Sequence, residues 1–194
     1  MTMEALRILI ADDESIRLLS LRQQLAALGH QVVAEASNGR EAVALALATR
    51  PDLAILDIKM PVMDGIEAAQ EITRHRPIPI ILLTAYNETE LVERAAQANI
   101  SAYLMKPVAE EDLLPAITLA LTRFRQFEAL RREVNDLREA LEARKVIERA
   151  KGILMRRLNL TEEEAFRRLQ KQSQDTNRKL AQVAEAIILA DQML

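Results

Sequence analysis

Ile55-Leu56-Asp57-Ile58-Lys59-Met60-Pro61-Val62-Met63-Asp64-Gly65 decides how this chain folds. The run Leu53-Ala-Ile-Leu is continuous rather than alternating, as in a strand covered on both faces, and it ends in a carboxylate, Asp57. A short loop follows, and a helix opens at Asp64-Gly-Ile-Glu67, whose end residues have capping-box spacing. Open α/β sheets place their sites at the carboxyl ends of their strands. An isolated Asp there is usually only the end of a strand; what surrounds Asp57 in the sequence argues otherwise.

Working outward, residues 6 to 108 alternate apolar runs with amphipathic ones. Strands are expected at Arg7–Ala11, Gln31–Glu35, Leu53–Asp57, Pro79–Thr84 and Ala102–Met105. Helices are expected at Ile16–Leu28, Arg40–Ala48, Ile66–His75 and Thr89–Ala98. Gly29 stops the first helix, and Pro77 and Pro79 stop the third. This alternation implies an α/β fold with a doubly wound, five-stranded parallel sheet; a long connecting helix and a small three-helix domain are expected after it. Right-handed crossovers put all five carboxyl ends on one edge. Asp12-Asp13, Asp57, Thr84-Ala85 and Lys106-Pro107 then converge. Three acidic side chains are the oxygen donors that Mg2+ takes. Without a cation they would raise one another's pKa. With one, Asp57 becomes a carboxylate nucleophile toward phosphorus, and Lys106 and Thr84 can meet phosphoryl oxygens. A cis bond at Lys106-Pro107 would aim the ammonium at the site, but the sequence does not show the isomer.

Composition narrows the classes. The 194 residues suit one large or two small domains. The absence of cysteine excludes disulfides and thiolate sites and fits a reducing compartment. No apolar run approaches the roughly 20 residues of a membrane span. The N-terminal Met1-Thr-Met-Glu-Ala carries no secretory pattern, so a cytoplasmic location is expected. The net charge of −3 hides an asymmetry: residues 1–122 carry 10 Lys+Arg against 17 Asp+Glu, and residues 123–194 carry 16 against 12. An acidic front and a basic back suggest two domains, the second able to meet a polyanion.

Residues 6 to about 122 resemble a response-regulator receiver domain, through Asp12-Asp13, the motif from Asp57 to Gly65, Thr84-Ala85, Lys106-Pro107 and Tyr103. The resemblance implies a flavodoxin-like fold in which Asp57 accepts a phosphoryl group from a sensor histidine kinase. It also implies that Asp13, Asp57 and the backbone carbonyl of Lys59 hold Mg2+, with Asp12 assisting through water. Thr84, Ala85 and Lys106 would then sense the phosphoryl group. Tyr103 stands at the position of the family's switch aromatic, although a half-buried strand residue would look the same. The segment from Glu88 to Ala98 would be remodelled with it.

Residues 109–143 contain no glycine, and Phe127, Leu130, Val134, Leu137 and Leu141 recur at steps of three and four. This is a seam of about two heptads. It reads as a parallel dimer contact, the alternative being a stripe packed on its own protein. Three helical patterns follow: Arg144–Arg157, a second one capped by Thr161 and running to about Gln174, and Arg178–Leu194. Phe166 is expected in their core. Glu148-Arg-Ala-Lys-Gly-Ile-Leu-Met155, Leu160-Thr-Glu-Glu-Glu-Ala-Phe166, Leu169, Asn177-Arg-Lys-Leu180 and Val183-Ala184 together resemble the ANTAR domain, an RNA-binding output module of bacterial antitermination regulators. Gln172-Ser-Gln-Asp-Thr departs from the smaller segment the family has there. The resemblance implies Lys151, Arg156, Asn177, Arg178 and Lys179 as RNA-facing residues, with RNA stem-loops in leader transcripts as the partner and a homodimer on activation. Gly152 is expected to serve close helix packing. The boundaries expected are 1–122 for the receiver, 123–142 for the helical linker and 143–194 for the output domain. A DNA-binding regulator and a protein-interaction adaptor are the rival readings. No enzymatic constellation is visible, and His30 and His75 are expected at the surface.

Overall fold

Five short runs of Val, Ile, Leu and Ala build the sheet because both of its faces are covered. In the computed structural model, which describes residues 4–85 and 100–192, the strands are β1 (Arg7–Ala11), β2 (Gln31–Ala36), β3 (Leu53–Asp57), β4 (Ile80–Thr84) and β5 (Ala102–Met105). All pairs are parallel and the spatial order is β2-β1-β3-β4-β5. The helices are α1 (Ser15–Ala27), α2 (Gly39–Thr49), α3 (Gly65–His75), α4 (Glu110–Leu158), α5 (Glu162–Thr176) and α6 (Leu180–Gln192). The helix expected at Thr89–Ala98 lies outside the described residues.

The period-two alternation of strand side chains sorts the core into two layers. Leu9, Ala54, Leu56, Ile80 and Leu82 face α2 and α3, meeting Ala42, Ala46, Ile66, Ala69 and Ile72. Ile8, Ile10, Leu53, Ile55, Ile81 and Leu83 face the other way, meeting Leu18, Leu21 and Leu25 of α1 and Leu113, Ile117 and Ala120 of α4. Each main strand buries both faces, which is why its sequence does not alternate.

Local signals place the helix ends. Gly29, at φ +82, closes α1, its N–H bonding to the Ala26 carbonyl at 3.0 Å. Asp64 caps α3 by accepting from the Glu67 N–H at 2.7 Å. The full capping box forms at α5, where Thr161 and Glu164 each accept from the other's backbone N–H, at 3.3 and 2.8 Å.

The chain divides into two compact units, residues 1–128 and 129–194. The second has its own small core of Ala150, Leu154, Ala165, Leu169, Val183 and Ala184. One boundary differs from the sequence reading. No separate helix begins at Arg144; that stretch is the C-terminal part of the 49-residue α4. Nothing from Leu137 to Ile147 offers a glycine, a proline or an N-cap to interrupt it. His30 also differs. It is buried, and its Nδ1 accepts the Leu6 N–H at 3.3 Å. Phe166, expected in the core, is 36% exposed.

Candidate functional site

The sheet order reverses between β1 and β3, so the crevice beyond these two strands is the natural site. Asp12 follows β1 and Asp57 ends β3, both buried, while Asp13 beside them is exposed. One carboxylate oxygen from each of Asp12, Asp13 and Asp57 lies within 4.8 Å of the others. β5 delivers Lys106, whose Nζ is 2.7 Å from Asp57 Oδ2 and 2.9 Å from Asp12 Oδ2. The Lys106-Pro107 bond, left open by the sequence, is cis. Thr84, at the end of β4, is buried, and its hydroxyl donates to the Ala85 carbonyl at 3.3 Å.

Burial pushes the Asp57 carboxyl above the usual carboxylate range, against the hydrogen bond and charge of Lys106 and the Lys59 N–H, which pull it down. Both oxygens of Asp12 are engaged by the protein. Its Oδ1 accepts from the Glu14 N–H at 2.9 Å and lies 3.4 Å from Arg17, while Oδ2 takes Lys106. Arg17 was not singled out by the sequence reading. The available signal was its place in the first turn of α1, directly after the acidic run. The donor set fits a small divalent cation: three carboxylates close together, two of them buried, with the Lys59 backbone beside them.

The loop after Asp57 is held down by two close backbone approaches. A Cβ on Gly65 would overlap the Asp57 carbonyl oxygen, and one on Gly39 would meet the Met63 carbonyl at 2.5 Å. Gly65 N–H donates to the Ile58 carbonyl at 2.9 Å. Val62, at φ +70, sits in the left-handed region between them. Tyr103, half-buried on β5, packs against the core layer shared with α2 and α3. Burial raises its phenol pKa, and Arg123 opposes this.

In the second unit the expected RNA-facing residues separate. Arg156, Arg178 and Lys179 are exposed. Asn177 is exposed too, but it is the left-handed cap of α5, at φ +51, a conformation Asn tolerates well. Lys151 requires a correction. Its side chain is buried, with Nζ 2.7 Å from Glu162 and 2.9 Å from Glu148, and it stands 5.9 Å over the Phe166 ring. Those carboxylates raise its pKa. The ammonium ties α4 to the start of α5 and is not presented outward. Arg157 is likewise held by Asp191 at 2.7 Å.

Comparison with known proteins adds the following. The model of the response regulator receiver domain matches residues 8–118, and that of the ANTAR domain matches residues 135–188. The transcriptional regulatory protein PdtaR of Mycobacterium tuberculosis is 47% identical over 182 residues, 94% of this chain and 89% of that protein. Protein PilH of Pseudomonas aeruginosa is 40% identical over 119 residues, 59% of this chain and 97% of PilH. Among solved structures, the signal receiver domain of a modulated diguanylate cyclase from Desulfovibrio desulfuricans G20 aligns with a TM-score of 0.60 and 35% identity, over 63% of this chain and 98% of that one. Among the described residues no helix is long and apolar enough to cross a membrane.

Proposed function

Because the chain belongs to the response-regulator family, with a receiver domain followed by an ANTAR domain, we propose that it is a cytoplasmic switch in which phosphorylation of Asp57 controls RNA binding by the second unit. The observation that carries this reading is the meeting of Lys106 with the buried Asp12 and Asp57 at the switch point, where Asp13 completes a cation-binding set. The proposed divisions are the receiver at 1–122, the helical linker at 123–142 and the output domain at 143–194.

The chemistry follows from the arrangement. A sensor histidine kinase presents a phosphohistidine. A carboxylate oxygen of Asp57 forms the new P–O bond as the P–N bond breaks, and the departing imidazole takes a proton. Mg2+, when bound, neutralises the carboxylates and the incoming phosphoryl oxygens. Asp13, Asp57 and the Lys59 carbonyl would hold it, with Asp12 one water away. The engagement of both Asp12 oxygens by Glu14, Arg17 and Lys106 supports that division. The phosphoryl group brings new charge and acceptor oxygens. Lys106 then passes from two carboxylates to a phosphoryl oxygen, and Thr84 and Ala85 donate to others. Tyr103 responds from the neighbouring strand by turning inward behind Thr84.

The output is read from α4 onward. Phe127, Leu130, Val134, Leu137 and Leu141 are all exposed large apolar residues at heptad spacing. They form the seam at which two copies pair on activation. Two second units on one dimer would engage paired stem-loops in leader transcripts and favour antitermination. Linking two modest sites raises affinity through effective concentration. The test is competition between stem-loop RNA and duplex DNA at matched salt, with the protein phosphorylated by acetyl phosphate. Preference for the stem-loop supports the reading. Preference for duplex makes the protein a DNA-binding regulator, and binding to neither makes the second unit a protein adaptor.

A further inference from the structure

Gly152 stands inside α4, less than two turns before its end at Leu158, and within a helix glycine is the least favourable residue apart from proline. The expected reason, close packing within the chain, is not found among the described residues, where a Cβ built on Gly152 meets nothing within 4 Å. At about 100° per residue, Gly152 lies roughly opposite Ala150, the fully buried residue of this helix segment. It is on the outward face of the unit. Its φ is not in the left-handed region, so backbone conformation does not call for glycine either.

What flanks it is cationic. Arg149 and Arg156, three residues before and four after, fall on the same face, are exposed and make no ion pair among the described residues. Three other basic side chains nearby are engaged: Lys145 with Glu142, Lys151 with Glu148 and Glu162, and Arg157 with Asp191. The helix therefore offers a part-exposed stretch of backbone, with no side chain over it, between two guanidiniums. Glycine serves where a ligand must approach the backbone closely. Two uncompensated guanidiniums repel a second copy of the same face and attract phosphates.

We infer that the outward face of α4 at Gly152, between Arg149 and Arg156, is where the sugar-phosphate backbone of an RNA hairpin comes closest to the protein. This rests on the RNA-binding reading above. Arg149 was not among the RNA-facing residues expected from the sequence, and Gly152 moves from a packing role to a contact role.

The test is Gly152→Ala in the full-length phosphorylated protein, probed with tandem RNA hairpins of fixed stem and randomised loops. Nothing stands where the new methyl goes, so the variant folds, and its second unit should melt a few degrees higher. Its Kd for the hairpins should rise about tenfold. Arg149→Gln and Arg156→Gln should each weaken binding and lower the slope of log K against log salt by about one. A Gly152→Ala protein that is more stable but binds the hairpins as the wild type does overturns the inference and leaves the RNA reading standing. Unchanged RNA affinity with altered dimerisation overturns it in favour of a second copy. Wild-type protein that binds no hairpin removes the RNA reading itself and this inference with it.

Discussion

Lys106 Nζ lies 2.7 Å from Asp57 Oδ2 while the same ammonium holds Asp12 Oδ2 at 2.9 Å. One cation thus bridges the ends of β1 and β3, the two strands between which the sheet order reverses. Without it, two buried carboxylates would face each other across the crevice. Burial still raises the Asp57 carboxyl, against the pull of that ammonium.

Stability should therefore depend on pH and on Mg2+ through Asp57. Its carboxyl is raised in the folded state, so the unfolded chain ionises it first as pH rises. Above the folded pKa the charge is buried at a cost, and this cost vanishes as pH falls toward the unfolded value of about 3.9. Asp57→Asn should then melt higher than wild type at pH 7 without Mg2+, with the gap closing toward pH 4. Millimolar Mg2+ should raise the wild-type Tm and move Asp57→Asn less. Thermal unfolding of both proteins across that range measures it.

Gly65→Ala should damage the first unit severely. The new Cβ would overlap the carbonyl oxygen of Asp57 itself, so either the β3 end or the start of α3 must shift. A loss of about 3 kcal/mol is expected from forcing atoms into a packed site. Urea unfolding reads the loss, and slower phosphorylation should accompany it. An unperturbed midpoint would show that the loop after Asp57 adjusts freely.

His30 predicts an acid sensitivity remote from the phosphorylation site. Its Nδ1 accepts the Leu6 N–H, so the neutral ring carries its proton on a buried Nε2 that has no partner among the described residues. Burial lowers its pKa. The contribution is present above the unfolded pKa of about 6.5 and is lost as pH falls through the folded value. His30→Gln keeps an acceptor for Leu6 and cannot take the charge. It should lose less stability than wild type between about pH 7 and pH 5, as read by denaturant midpoints.

Thr161→Ala tests how far the second unit depends on its cap. The substitution removes the acceptor for the Glu164 N–H and the hydroxyl that donates to the Glu164 carboxylate, leaving only the residue-161 backbone N–H on that carboxylate. Loss of an N-cap costs about 1 kcal/mol. In a unit with so small a core, amide exchange along α5 should accelerate more than exchange along β3.

Much of this was legible because strand period and strand-end chemistry are local. The run ending in Asp57, the paired acids after β1, and Lys106 after β5 could be placed on one edge by the handedness of crossovers alone. The helix ends at Gly29 and Thr161 carried their own signals. Other features depended on contacts that sequence spacing does not encode. Lys151 reads as one more exposed cation until Glu162, eleven residues on, folds back against it. His30, beside a glycine, reads as a surface residue until the chain just before β1 brings the Leu6 N–H to its ring. The continuity of α4 through Arg144 is a missing stop rather than a present signal. Arg17 engages Asp12 only because the turn into α1 brings its side chain back over the acidic run.

The central claim is that Asp57 is the phosphoacceptor and that it works with a divalent cation. Incubation with acetyl phosphate, followed by intact-protein mass spectrometry, tests this most directly. Wild-type protein with Mg2+ should gain one phosphoryl mass, and it should gain little when the cation is chelated. Asp57→Asn should gain none. Equal labelling of wild type and Asp57→Asn, or labelling indifferent to Mg2+, would contradict the account.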